Sequence, residues 1–180
     1  PLSQAIVDSQ LMSGAAPEGF TVEIEESIGI SIARPNAWER NVDTKELPIS
    51  GELVDFVVYY YVEPGTVQMM SASTIDAYYP YQSEDEFLLG IFDDNPDGVA
   101  ETNLKVIDYT NAITVSNYPA QALSYRIDDK RTGLPLFSIF LVVETPDNSA
   151  IMLNWAVNES MQITTMNTFQ NMLSTFRFID

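Results

Sequence analysis

The chain has 180 residues, 46% hydrophobic and 19% charged, enough apolar mass to fold as one domain without disulfide staples, and it contains no Cys. Lys and Arg number 8 against 26 Asp and Glu, a formal charge of −18, which argues against binding nucleic-acid phosphates or docking on anionic lipid. With neither His nor Cys, the common zinc sites, thiol chemistry and His-dependent triads are excluded.

No run of 18 or more apolar residues occurs, so no spanning helix is expected. The chain opens on Pro1 rather than Met, as either a trimmed piece of a longer chain or a processed mature form would. Residues 9–19 (SQLMSGAAPEG) are small, polar and turn-prone, and residues 1–19 are assigned to a flexible tether ahead of a single domain at 20–180. A short stalk before a compact domain is the layout of exported proteins, lipoproteins included, so an extracytoplasmic location, either secreted or lipid-anchored upstream of Pro1, is expected; a cytosolic protein with a ragged N-terminus is the alternative.

Residues 20–26 (FTVEIEE) alternate apolar and polar, the period of a half-buried strand. Ser27-Ile28-Gly29 turns the chain and residues 30–33 (ISIA) resume the alternation, which predicts a hairpin stopped by Pro35. Trp38 follows and reads as a core plug. Residues 41–52 are polar, contain Pro48 and Gly51, and read as loop. Residues 53–62 (LVDFVVYYYV) are apolar on both faces and predict a central strand. Glu63-Pro64-Gly65-Thr66 has Pro and Gly where a type II turn needs them, and residues 67–73 return as the partner strand.

Ser83-Glu84-Asp85-Glu86 is a capping box that opens a short helix to about Phe92. Strands follow at 105–109, 112–116, 120–127, 134–144 and 150–157. The connections are short, including DDKRTG at 128–133 and TPDNS at 145–149, so the strands form an antiparallel meander. The chain closes with a helix over about 160–177, whose Met166, Phe169, Met172, Leu173 and Phe176 form one stripe against the sheet. The class is α+β: an antiparallel β-sheet flanked by helices on both faces, an α/β/α sandwich.

The segment Ile30-Ser31-Ile32-Ala33-Arg34-Pro35-Asn36-Ala37-Trp38-Glu39, a strand running into Pro and then Trp, resembles the start of the PsbP-like, Mog-type domains. The ending resembles theirs too: a strand (IMLNWAV), a gap, then a helix finishing Leu173-Ser174-Thr175-Phe176-Arg177-Phe178. The group includes the photosystem II extrinsic protein, the Ran-binding Mog protein and bacterial DcrB-like lipoproteins. The resemblance spans about 20–180 and implies a mostly non-enzymatic domain that binds proteins or stabilises an assembly. It carries over no functional residue, and the acidity sets this chain apart from the Ran-binding branch.

Two segments offer candidate sites. In Asp93-Asp94-Asn95-Pro96-Asp97-Gly98, Asp93, Asn95 and Asp97 fall at positions 1, 3 and 5 of a calcium loop and Gly98 at position 6. Position 12 is Leu104 instead of the bidentate Glu that completes such a loop. The segment is therefore either a low-affinity calcium site or a solvated helix-ending turn; no other cofactor is expected. In Tyr78-Tyr79-Pro80-Tyr81, Tyr78, Tyr79 and Tyr81 either anchor a partner or pack over the sheet end. No G-x-S-x-G, S-x-x-K or Walker sequence occurs. The leading expectation is a non-catalytic, monomeric, exported binding or assembly-accessory domain with a protein partner. A calcium-stabilised extracellular domain using the DDNPDG loop and a hydrolase with scattered carboxylates are the alternatives.

Overall fold

The computed structural model of the chain describes residues 1–49, 52–75, 83–92, 103–147 and 149–179. The long apolar runs pair first. Strands β3 (Glu39–Ile49), β4 (Glu52–Val62) and β5 (Met69–Ile75) form one antiparallel meander, and β6 (Lys105–Val115), β7 (Tyr118–Asp128), β8 (Pro135–Glu144) and β9 (Ala150–Asn158) form another. The two join where β5 pairs with β9, giving a seven-stranded antiparallel sheet of order β3-β4-β5-β9-β8-β7-β6. A second sheet, β1-β2-β10, is built from β1 (Phe20–Glu25), β2 (Ile30–Pro35) and the final β10 (Arg177–Phe178).

Local chemistry sets the turns. Gly65 takes φ 77° and Thr66 N–H donates to the Glu63 carbonyl, the expected type II turn. Ser116 and Asn117 both have positive φ and join β6 to β7 in a two-residue loop of the type that matches strand twist. Helix α2 (Glu84–Phe92) is capped as expected: Ser83 Oγ accepts from Glu86 N–H at 3.2 Å.

Successive strand residues point to opposite faces, and both faces of the large sheet are covered. On one, Ile30, Ile32, Tyr61, Leu153, Trp155, Phe169 and Phe176 form the main core beneath the small sheet, α1 (Leu2–Gln10) and α3 (Gln162–Thr175). On the other, Phe87 of α2 is sealed among Leu123, Tyr125, Val142 and Ala150, with edge-to-face contacts to Tyr109 and Phe140. The α/β/α sandwich, the buried Trp38 and the α3 stripe agree with the sequence.

Five expectations are corrected. Residues 1–19 are not wholly a tether: α1 buries Leu2, Ile6 and Ser9, one face at helical spacing. It is pinned by Leu2 N–H donating to Asp108 (2.8 Å) and Gln170 donating to the Ala5 carbonyl (3.0 Å). Residues 39–49 are a strand, not a loop; β3 is an edge strand, and edges tolerate the charges and Pro48 that mask its pattern. Consequently β4 lies next to the edge and β9 is central. The strands expected at 105–109 and 112–116 are one strand, β6, interrupted by two bulges. In β1 the alternation is inverted: Val22 and Ile24 are 49% and 61% exposed, and Glu25 is 1% exposed.

Candidate functional site

Asp93, Asn95, Asp97, Tyr78, Tyr79 and Tyr81 lie outside the described residues. Leu104, at the twelfth position of the acidic loop, is described and packs against the Phe87 core cluster. Among the described residues no group of three or more acidic side chains is arranged to hold a metal ion.

One candidate site is a cleft of about 320 Å³ between the N-terminal ends of α1 and α3. The bulge in β6 between Val106 and Asp108 builds one wall. The extra residue, Ile107, stays half-exposed, and Asp108 returns to face Ser124 of β7. Ser124, Phe137 and Ile139 make the floor, and Leu2, Ala5, Gln162 and Met166 complete the sides. Asp108 already accepts the Leu2 N–H, satisfying one of the four free donors at the start of α1. The lining offers acceptors and apolar walls, but no His, Cys or Lys stands beside Ser124 to activate it.

The second candidate is an ionic cluster between the two sheets. Glu25 on β1 is buried and accepts from Arg40 Nε at 2.8 Å, Arg40 Nη2 at 2.6 Å and Tyr61 Oη at 2.9 Å. Arg40 on β3 is about one-third exposed and lies over the Tyr59 ring, 5.0 Å from its centroid. Ser27 Oγ and Tyr59 Oη are 2.5 Å apart. Beside this, Arg34 pairs with Glu23 at 2.7 Å and donates to the Trp38 carbonyl at 2.6 Å. The Glu25 hydrogen bond holds the Arg40 guanidinium charged well beyond its ordinary range. Burial, reinforced by the Glu25 charge, pushes the Tyr61 hydroxyl far up. Each charge here has its counter-charge and each carboxylate its donors, so the cluster fastens the small sheet to β3 and β4. Sequence reasoning missed it because its partners are 15 and 36 residues from Glu25 along the chain.

Comparison with known proteins shows the fold. No protein-family model matches the chain, and no curated protein does. Among solved structures, cyanobacterial PsbP (CyanoP) from Synechocystis overlays with a TM-score of 0.56 at 14% identity, covering 93% of this chain and 96% of that one. The Ran-binding protein Mog1p of Saccharomyces cerevisiae overlays with a TM-score of 0.54 at 8% identity, covering 89% and 96%. LpqN of Mycobacterium tuberculosis overlays more loosely, with a TM-score of 0.41 at 11% identity over 92% and 82%. These overlays span nearly the whole sandwich, and the chain has the PsbP-like, Mog-type fold.

Proposed function

We propose that this chain is a non-catalytic binding or assembly-accessory domain that works outside the cytoplasm. The observation that carries the reading is the cleft, whose apolar walls, Asp108 carboxylate, Ser124 hydroxyl and Gln162 amide suit it to hold a ligand. The fold shared with the Ran-binding protein Mog1p supports a protein partner, although one fold serves many roles. Among the described residues no helix is long and apolar enough to cross a membrane. At −18 the domain repels anionic surfaces and favours a basic partner.

The test is cross-linking of the chain in the cells that make it, read by mass spectrometry after fractionation. A defined protein adduct in the extracytoplasmic fraction is expected. A chain recovered only as free monomer, or only from the cytoplasm, overturns the reading.

A further inference from the structure

A β-sheet edge is a row of unpaired backbone donors and acceptors, and proteins blunt such edges unless they use them. The described residues form four. The β3 edge carries Glu39, Arg40, Asp43, Lys45, Glu46 and Pro48, the residues that discourage a further strand. The β6 edge is broken by two bulges and packed by α1. The β10 edge is two residues long. The β1 edge is a regular six-residue strand without Pro, Lys or bulge, and its two charges, Glu23 and Glu25, face inward and are paired with Arg34 and Arg40.

The register shows which groups it offers. Asn36 N–H donates to the Gly19 carbonyl at 2.8 Å, so Gly19 and Asn36 are a hydrogen-bonded pair. Antiparallel pairs alternate, so Thr21, Glu23 and Glu25 exchange bonds with β2, and Phe20, Val22 and Ile24 turn their backbone groups outward. Ala33 agrees: it stands opposite Val22 and sends its N–H away from β1, to Thr175 Oγ1. Phe20 N–H is spent on the Pro17 carbonyl. The N–H and C=O of Val22 and Ile24 have no partner among the described residues, and these are the two exposed apolar side chains of the inverted strand. Glu25 and Arg40 lock that inversion in place, because the buried pair holds the opposite face inward.

We propose that the β1 edge is a docking site for an extended segment of a partner protein, apolar at alternate positions and flanked by Lys or Arg, which adds as a fourth strand to the small sheet. The charge around the edge selects this occupant. Exposed Glu18 and Glu26 bracket the strand, and Arg34 and Arg40 are consumed by Glu23 and Glu25. A second copy is disfavoured by the same groups. An antiparallel β1–β1 pair centred on Val22 places Glu18 opposite Glu26 twice, in chains that each carry −18. The proposal rests on the reading above that the chain binds a protein partner, and it gives that partner a chemistry and a surface that shares no residue with the cleft.

The test uses a short synthetic peptide of alternating Val and Thr with Lys at both ends, titrated by fluorescence anisotropy and followed by amide hydrogen exchange. Saturable binding that weakens with salt and protects the Val22 and Ile24 amides is expected. Val22→Pro removes an outward donor and leaves the β1–β2 ladder its bonds; Ile24→Lys places a like charge against the peptide's flanks. Each is expected to weaken binding at least tenfold with little change in melting temperature. Absence of saturable binding, binding that both variants leave intact, or a concentration-dependent dimer through this edge overturns the proposal. A partner cross-linked through another surface overturns it too, while the binding reading stands.

Discussion

Arg40→Met tests whether the ionic cluster fastens the two sheets. Methionine keeps most of the apolar stem and removes the guanidinium, so Glu25, 1% exposed, keeps Tyr61 as its one remaining donor of the three. Breaking a buried pair from one side costs about 3–5 kcal/mol, and about 3 is expected here because Arg40 is one-third exposed and water can enter where it stood. For a chain of this length that is roughly 10 °C in melting temperature. Urea unfolding followed by the fluorescence of Trp38 and Trp155 measures it. The sharper arm is the double variant Arg40→Met/Glu25→Gln, which removes the orphaned charge and is expected to recover at least about 1 kcal/mol relative to Arg40→Met. A single-variant cost under about 1 kcal/mol, the ordinary value of a surface pair, refutes the reasoning, as does a double variant less stable than the single.

Three further outcomes are expected. Gly14→Ala should cost about 1–2 kcal/mol by urea unfolding, because Gly14 sits at φ 71° and an added Cβ would stand 2.1 Å from Arg177 Nη2, whose guanidinium donates to the Ser174 and Phe176 carbonyls. The hydroxyls of Tyr61, Tyr109 and Tyr125 are all pushed up by burial. The unfolded chain therefore releases these protons first: stability is present below about pH 10 and falls above it, by up to about 1.4 kcal/mol per pH unit per tyrosine, and Tyr61→Phe should flatten the fall. A urea midpoint unchanged from pH 9 to about pH 11 would count against this. Millimolar calcium at fixed ionic strength should raise the melting temperature no more than magnesium does, since Leu104 is engaged in the core where a bidentate ligand would be needed.

The elements legible in the sequence are those whose pattern is set by burial alone. In β8, Phe137 to Val143 is apolar on both faces and sits beside the central strand, covered on both. In α3, Phe169, Met172 and Leu173 recur at helical spacing and are buried. What was hidden depends on partners far along the chain. Nine residues cannot hold a helix alone in water, so α1 exists because Asp108 and Gln170 pin it and Ile6 is buried. In β3 the charged side chains hide a pairing with β4 that is regular over eleven residues. The alternation of β1 was legible, but its facing was not. Apolar residues normally turn inward, and only the Glu25–Arg40–Tyr61 bonds, invisible in a linear reading, reverse it.

The pairing of β10 with β2 has a consequence for how the chain comes to be folded. Ser31 waits for Arg177, a separation of 177 − 31 = 146 residues out of 180. A loop that long closes slowly, and α3, which covers the main core, is itself made of residues just before β10. During synthesis the β3–β5 and β6–β9 meanders can pair as they emerge, whereas the small sheet must await Arg177 and Phe178. Deleting Arg177 and Phe178 therefore leaves β2 with β1 as its partner in the small sheet, which closes only when β10 arrives.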